Sequence, residues 1–147
     1  MPDDLDLLEQ RIFGSGGTSR APASVDTWRQ TLRLDDLERQ HHLPAGLMTS
    51  VLRQESGGDP RVRSSAGAQG LFQFMPKTAA QYKIDPFDPQ QAAPAAAKEL
   101  STLYKKYGGN VDRTLAAWNW GQGHVDRKGM AHMPKETRGF VANVKRF

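Results

Sequence analysis

The sequence predicts a mainly α domain, and three observations carry that prediction. Apolar residues recur at intervals of three and four in several separate segments, from Val25 and Trp28 to Phe140 and Val144. Glycine and proline clusters punctuate those segments, at Ser56-Gly57-Gly58, at Asp85-Pro86-Phe87-Asp88-Pro89 and at Gly108-Gly109. Alternation of apolar and polar residues never extends beyond a few positions, so a sheet has little to build on.

Composition sets the outer limits. A chain of 147 residues with 37% hydrophobic content fits one globular domain with a real core. A mean hydropathy of −0.65 leaves no room for a membrane span. The absence of cysteine excludes a disulfide framework and a thiolate metal site. Residues 1–40 carry eight acids against five bases, whereas the remainder carries eight against fifteen. The basic part attracts polyanions, among them nucleic acid, anionic membrane and a carboxylate-rich cell wall, and charge alone does not choose between them.

Taken in order, residues 1–13 can form a short helix through Leu5, Leu7, Leu8 and Ile12, and Gly14 to Pro22 reads as a flexible linker. Residues 1–22 are therefore expected to be an appendage. Residues 23–42 form a helical extension, one amphipathic pattern through Val25, Trp28, Leu32, Leu34 and Leu37 that starts at Ser24. The main domain, 43–147, opens at Leu43-Pro44, with Pro44 at a favourable first helical position.

That helix carries Leu47, Met48, Val51 and Leu52 at helical spacing, and the next position on the stripe is Glu55. A carboxylate stands where a core residue is expected. Gly57-Gly58 ends the helix and Pro60 prevents its resumption, leaving Glu55 at the negative end of the dipole. Burial and that dipole end both disfavour ionisation, which suits a general acid.

Beyond the glycine turn, the stretch around Ser64-Ser65-Ala66-Gly67 leaves room for one short hairpin. Pro76 starts a helix to Tyr82, and the Asp85–Pro89 run is a turn-rich connection. The alanine-rich helix from Gln90 to Tyr107 presents Ala96, Ala97, Leu100, Leu103, Tyr104 and Tyr107, with Pro94 in its first turn or kinking it. Val111 to Trp118 is helical again. Gly121 to Met133 is expected to be a glycine- and histidine-bearing loop. Thr137 to Phe147 is a final helix with Phe140, Val144 and Phe147 on one side.

Four separated motifs stand in a telling order. They are Glu55-Ser56-Gly57, then Ser64-x-x-Gly67-Ala68-x-Gly70-Leu71-x-Gln73-x-Met75-Pro76, then Ala117-Trp118-Asn119-x-Gly121, then Pro134-x-Glu136-Thr137-x-x-Phe140-Val141. From about Leu43 to the end, the chain resembles the catalytic domain of the soluble lytic transglycosylases, relatives of goose-type lysozymes. The resemblance implies a lysozyme-like fold with a saccharide-binding groove, and makes 43–147 the catalytic domain.

It also implies a reaction: cleavage between N-acetylmuramic acid and N-acetylglucosamine in peptidoglycan glycan strands. Glu55 would protonate the glycosidic oxygen and then, as carboxylate, take the proton of the muramyl 6-hydroxyl, giving a 1,6-anhydro end. Most glycosidases place two carboxylates about 5 to 9.5 Å apart across the bond. Here Asp59, Asp85, Asp88 and Asp112 all fall at turn or cap positions, so one carboxyl doing both transfers is the simpler account.

By family position, Ser64 lies beside the bound sugar, although a turn serine explains it about as well. Gln73 and Met75 would line the groove, Gln73 offering a donor and an acceptor to an N-acetyl group. Asn119 would hold an acetamido or peptide group, and Glu136 would contribute to binding or simply start the last helix. Trp118 stands where the family usually has tyrosine, and Phe140 where it commonly does. Each keeps a ring able to pack or stack on a sugar and loses a phenolic hydroxyl. Trp120 adds aromatic surface.

No cofactor is expected, and no metal, since His41, His42, His124 and His132 lack a ligand spacing. The alternatives are a goose-type lysozyme that uses water, a non-catalytic wall-binding module, and a nucleic-acid binder, which the lack of a basic-aromatic groove motif disfavours. A monomer acting in the periplasm or cell wall is expected. With no signal peptide or lipidation motif seen in MPDDLDLLEQ, the expected alternatives are a phage particle or lysis protein, a secretion-apparatus component, either docked through residues 1–42, or one module cut from a longer chain.

Overall fold

A computed structural model describes residues 24–147. Among them run eight α-helices: α1 (Val25–Thr31), α2 (Leu34–Gln40), α3 (Leu47–Ser56), α4 (Pro76–Gln81), α5 (Pro89–Lys106), α6 (Val111–Trp120), α7 (Gln122–Lys128) and α8 (Lys135–Val144), with a 3₁₀ turn at Met130–His132. The mainly α class holds. The expected helix and linker within residues 1–22 lie outside the described residues.

The centre of the fold is α3. Leu47, Met48, Val51 and Leu52 have no exposed surface, and Thr49, Ser50, Glu55 and Ser56 are buried as well. The stripe read from the sequence thus widens to nearly the whole helix, leaving Arg53 outside. Removing four such side chains from water is worth about 1.5–3 kcal/mol each, which fixes α3 against α1, α2 and α8. The Ser50 hydroxyl donates to the Val144 carbonyl at 2.6 Å, tying α3 to the end of α8. On the other side α6 packs against α5, α7 and α8.

Four local expectations need correction. The pattern from Val25 to Leu37 is two helices, because Arg33 adopts φ 54 between them. Leu32 and Leu34 are both buried, and two residues apart in one continuous helix they would point about 200° from each other. The left-handed residue lets both reach the core. Secondly, Pro44 is not the first residue of the helix ending at Glu55. Its carbonyl accepts from Leu47 N, and Gly46 at φ 87 delays the helix to Leu47.

Thirdly, the segment after Gly121 is mostly helical, as α7 and the 3₁₀ turn, rather than a loop. Only Val125 of α7 is buried, so no apolar period betrayed it. Lastly, α8 starts at Lys135, two residues early, and Phe147 is 45% exposed. Capping at Lys145 takes the last residues off the stripe that buries Phe140 and Val144.

Elsewhere the expectations stand. Pro76 occupies the first turn of α4 and Asp88 caps α5 by accepting from Gln90 N, whereas Pro94 lies exposed inside α5, past the first turn, which Pro89 opens. The hairpin shrinks to two antiparallel single-residue bridges, Arg63 with Gln69 and Gln69 with Phe74. Those bridges fold residues 62–75 into two tight loops between α3 and α4.

Candidate functional site

The site is built around the end of α3. Gly57 closes the helix at φ 63, its N–H reaching the carbonyls of Arg53 at 2.9 Å and Leu52 at 3.2 Å. Gly58 follows at φ 101, and its N–H donates to the Ser56 hydroxyl at 3.1 Å. One turn back, Glu55 is fully buried. The indole N–H of Trp118, on α6, donates to Glu55 Oε2 at 2.9 Å. The Trp118 ring is itself wedged edge-on against Phe74, with centroids 5.8 Å apart.

Thus Glu55 and Trp118, expected in separate roles, are in direct contact. Although the tryptophan lacks a phenolic hydroxyl, its indole N–H supplies a donor to the Glu55 carboxyl. That group donates only, so Oε2 acts as acceptor and never as the proton-bearing oxygen towards Trp118. Of the arginines near in sequence, Arg61 pairs with Asp59 at 3.4 Å and the Arg63 guanidinium lies over the Phe87 ring at 5.6 Å.

The two loops after the turn hold the next group. Ser64 is buried and its hydroxyl accepts from Ala68 N at 3.0 Å, closing the first loop. Gln73 is buried at φ 55, and its amide donates to the carbonyls of Val62 at 3.1 Å and Gly70 at 2.9 Å. Its donor side therefore knits the loops together, while Oε1 is the atom with no protein partner. Only glycine fits at 70, where a Cβ would lie 1.9 Å from the Pro86 carbonyl oxygen. Met75 is the half-buried cap of α4.

Asn119, next to Trp118, accepts from the Thr137 hydroxyl at 2.8 Å, joining α6 to α8. Glu136 is exposed on the first turn of α8, and its side chain forms no hydrogen bond or ion pair among the described residues. Phe140 is fully buried core. Trp120 stacks on His124 at 5.2 Å and packs partly into the core.

The four aspartates read as turn or cap residues all have partners. Asp59 accepts from Arg61 N, Asp85 from Phe87 N, Asp88 from Gln90 N, and Asp112 pairs with Lys145 at 2.7 Å. Glu99 accepts from the Tyr82 hydroxyl, which together with burial holds that phenol well above its ordinary pKa. No cluster of three or more His, Cys, Asp or Glu able to hold a metal occurs among the described residues.

Two contacts escaped the sequence. Glu38, on α2, is 2% exposed and accepts from Gly46 N at 2.9 Å and Met48 N at 2.7 Å, capping the start of α3 from another helix. Burial raises its pKa although both backbone bonds pull the other way. The capped α3 start was legible only as a missing Ser, Thr, Asp or Asn before Leu47. The second contact runs from Trp28 on α1, whose indole N–H donates to the Gly58 carbonyl at 2.7 Å.

Residues 35–141 match the Transglycosylase SLT domain family. The chain is 30% identical over 144 residues to the soluble lytic murein transglycosylase of Escherichia coli (strain K12), covering 79% of this chain and 22% of that protein. It is 36% identical over 83 residues to the transglycosylase of Enterobacteria phage PRD1, covering 56% of this chain and 31% of the phage protein. Among solved structures, an inactive mutant of the lytic transglycosylase Slt from Pseudomonas aeruginosa superposes with a TM-score of 0.66 at 28% identity, over 79% of this chain and 22% of that one. The chain therefore spans less than a third of the length of these relatives, and the lysozyme-like fold is shared with Slt. With the match running from α2 to α8, the chain belongs to the SLT transglycosylase domain family.

Proposed function

We propose that this chain is a peptidoglycan lytic transglycosylase with Glu55 as its single acid and base. The observation that carries the reading is the buried Glu55 carboxyl, held by the Trp118 indole at 2.9 Å in a chain whose other candidate acids are committed to turns, caps and pairs. The neutral carboxyl protonates the glycosidic oxygen between muramyl and glucosaminyl units. As the bond opens, Glu55 is left ionised, and the indole N–H steadies that charge. The carboxylate then removes the proton of the muramyl 6-hydroxyl, whose oxygen closes on the anomeric carbon. The 1,6-anhydro ring forms, Glu55 regains its proton, and no protein nucleophile or metal takes part.

Ser64, Gln73, Met75, Asn119 and Glu136 line the glycan path in this reading. Ser64 and Gln73 act chiefly by shaping the loops, the Ser64 hydroxyl accepting from Ala68 N and the Gln73 amide N–H groups donating to Val62 and Gly70, which leaves Gln73 Oε1 as an acceptor. Asn119, next to Trp118 in sequence, has its amide oxygen fixed by the Thr137 hydroxyl at 2.8 Å. The domain is residues 43–147, preceded by a helical segment from 23 to 42 and an appendage from 1 to 22. It acts as a monomer on the cell wall or in the periplasm. The likeness to a phage transglycosylase supports delivery with a virion, docked through residues 1–42.

Mass spectrometry of muropeptides released by the pure protein tests the reaction. Anhydro ends, lighter by one water than hydrolysed ends, are the expected product. Release of reducing ends alone would identify a goose-type lysozyme reaction instead.

A further inference from the structure

The family match begins at residue 35, one position into α2, so α1 lies ahead of it. Yet α1 packs on α3, the helix that carries Glu55. Seven residues are too few to hold a helix alone in water, so α1 owes its order to docking. Its start is capped by Ser24, which accepts from Thr27 N at 3.1 Å, and the buried Leu32 follows its end. The directed contact is the 2.7 Å bond from Trp28 Nε1 to the Gly58 carbonyl.

That carbonyl stands at a sensitive place. It lies beyond the C-cap of α3, where the helix offers no partner of its own. Gly57 and Gly58 both have positive φ, in a backbone with the widest conformational freedom of any residue type. Inside the turn, Ser56 provides the ties: its hydroxyl accepts from Gly58 N and donates to the Leu52 carbonyl, and its own carbonyl accepts from Asp59 N. From outside the turn comes Trp28.

We propose that Trp28 is a positioning residue for the active site. It braces the Gly57-Gly58 turn from a helix outside the family match, and so holds the last turn of α3 and the Glu55 side chain in register with Trp118. Two indoles then bracket Glu55. Trp118 holds its carboxyl and Trp28 holds the backbone three residues further on. The inference rests on Glu55 being the acid and base.

The test uses the full chain with Trp28→Phe, which keeps an aromatic ring on α1 and removes the N–H. Initial rates on soluble glycan strands should show kcat about threefold to tenfold lower with KM unchanged, the size expected of one hydrogen bond. Amide exchange should quicken at Gly57, Gly58 and Asp59 and stay as in the parent across α6 and α8. Glu55→Gln runs alongside. If that variant stays active, the acid assignment itself fails. If it is dead while Trp28→Phe keeps the parental kcat, the brace alone is refuted. A rate loss matched by faster exchange throughout the chain would also overturn it, since Trp28 would then serve only global stability.

Discussion

Two carboxylates are buried among the described residues, and they sit at opposite ends of α3. Glu38 meets the start of the helix, where backbone N–H groups point outward and the dipole is positive. It takes two of those N–H groups, from Gly46 and Met48. Glu55 sits at the other end, where carbonyls accumulate and the dipole is negative, and receives an indole N–H from Trp118. The same side chain type, equally hidden from water, is a helix cap in one place and a proposed proton carrier in the other. What separates them is the kind of donor each meets. Glu38 accepts from two backbone N–H groups at the favourable end of the dipole, whereas Glu55 accepts from the Trp118 indole at the unfavourable end.

The sharpest way to break this contrast is to make the same substitution at both ends. Glu55→Gln leaves an amide oxygen able to accept from Trp118, so the fold should persist and the variant should still sediment with cell walls. Clearing of a wall suspension should fall by at least about a hundredfold, since one group performs both proton transfers. Glu38→Gln should do the reverse. An amide NH₂ would face one of the two backbone N–H groups, costing about 1–3 kcal/mol of unfolding free energy, with clearing per folded molecule kept. Denaturant unfolding and turbidity assays on both variants decide it. Undiminished clearing by Glu55→Gln would remove the acid from the scheme.

The next test is smaller and concerns the bond from the Trp118 indole to Glu55. Trp118→Phe keeps a ring against Phe74 and removes the N–H from Glu55. A bond to a charged group is worth about 1.5–3 kcal/mol, so kcat should drop roughly 10- to 100-fold while binding to walls holds. Trp118→Tyr should recover part of the rate if its hydroxyl reaches Oε2. Should Trp118→Phe clear walls at the parental rate, the indole would be packing and nothing more.

These contrasts also mark what the sequence could disclose. Glu55 was visible because its stripe position, the glycine stop and the motif order are local, and each is written within a few residues of the next. The α class was visible for the same reason. Glu38 was not, because a cap lent by another helix leaves no trace at the helix it caps except the lack of a local one. Likewise the break at Arg33 follows from where Leu32 and Leu34 must both be buried, which is a tertiary demand. The seven-residue α7, with Val125 as its one buried residue, is too short and too polar to give a period. Gln73 read as a sugar-binding amide because its chemistry fits, but folding turned its donors inward to Val62 and Gly70.

The finest test asks which force prevails at Glu38. Burial raises its pKa above the ordinary 4.5, and the bonds from Gly46 and Met48 lower it without cancelling the rise. A folded pKa above the unfolded one means that the native state holds the proton more tightly than the unfolded chain does. The stabilising contribution of Glu38 is then complete below the unfolded value and is lost as pH rises through the folded one. This is opposite to the usual behaviour of a carboxylate at a helix start, where the charged form is favoured. Glu38→Gln cannot titrate, so the unfolding free energy of the parent minus that of the variant isolates the effect. That difference should decline as pH is raised from about 4 towards neutrality, starting near the ordinary glutamate pKa. A difference that instead grows with pH would mean that the two backbone N–H groups and the dipole outweigh desolvation. The contrast between the ends of α3 would then be sharper still, with Glu38 a committed anion.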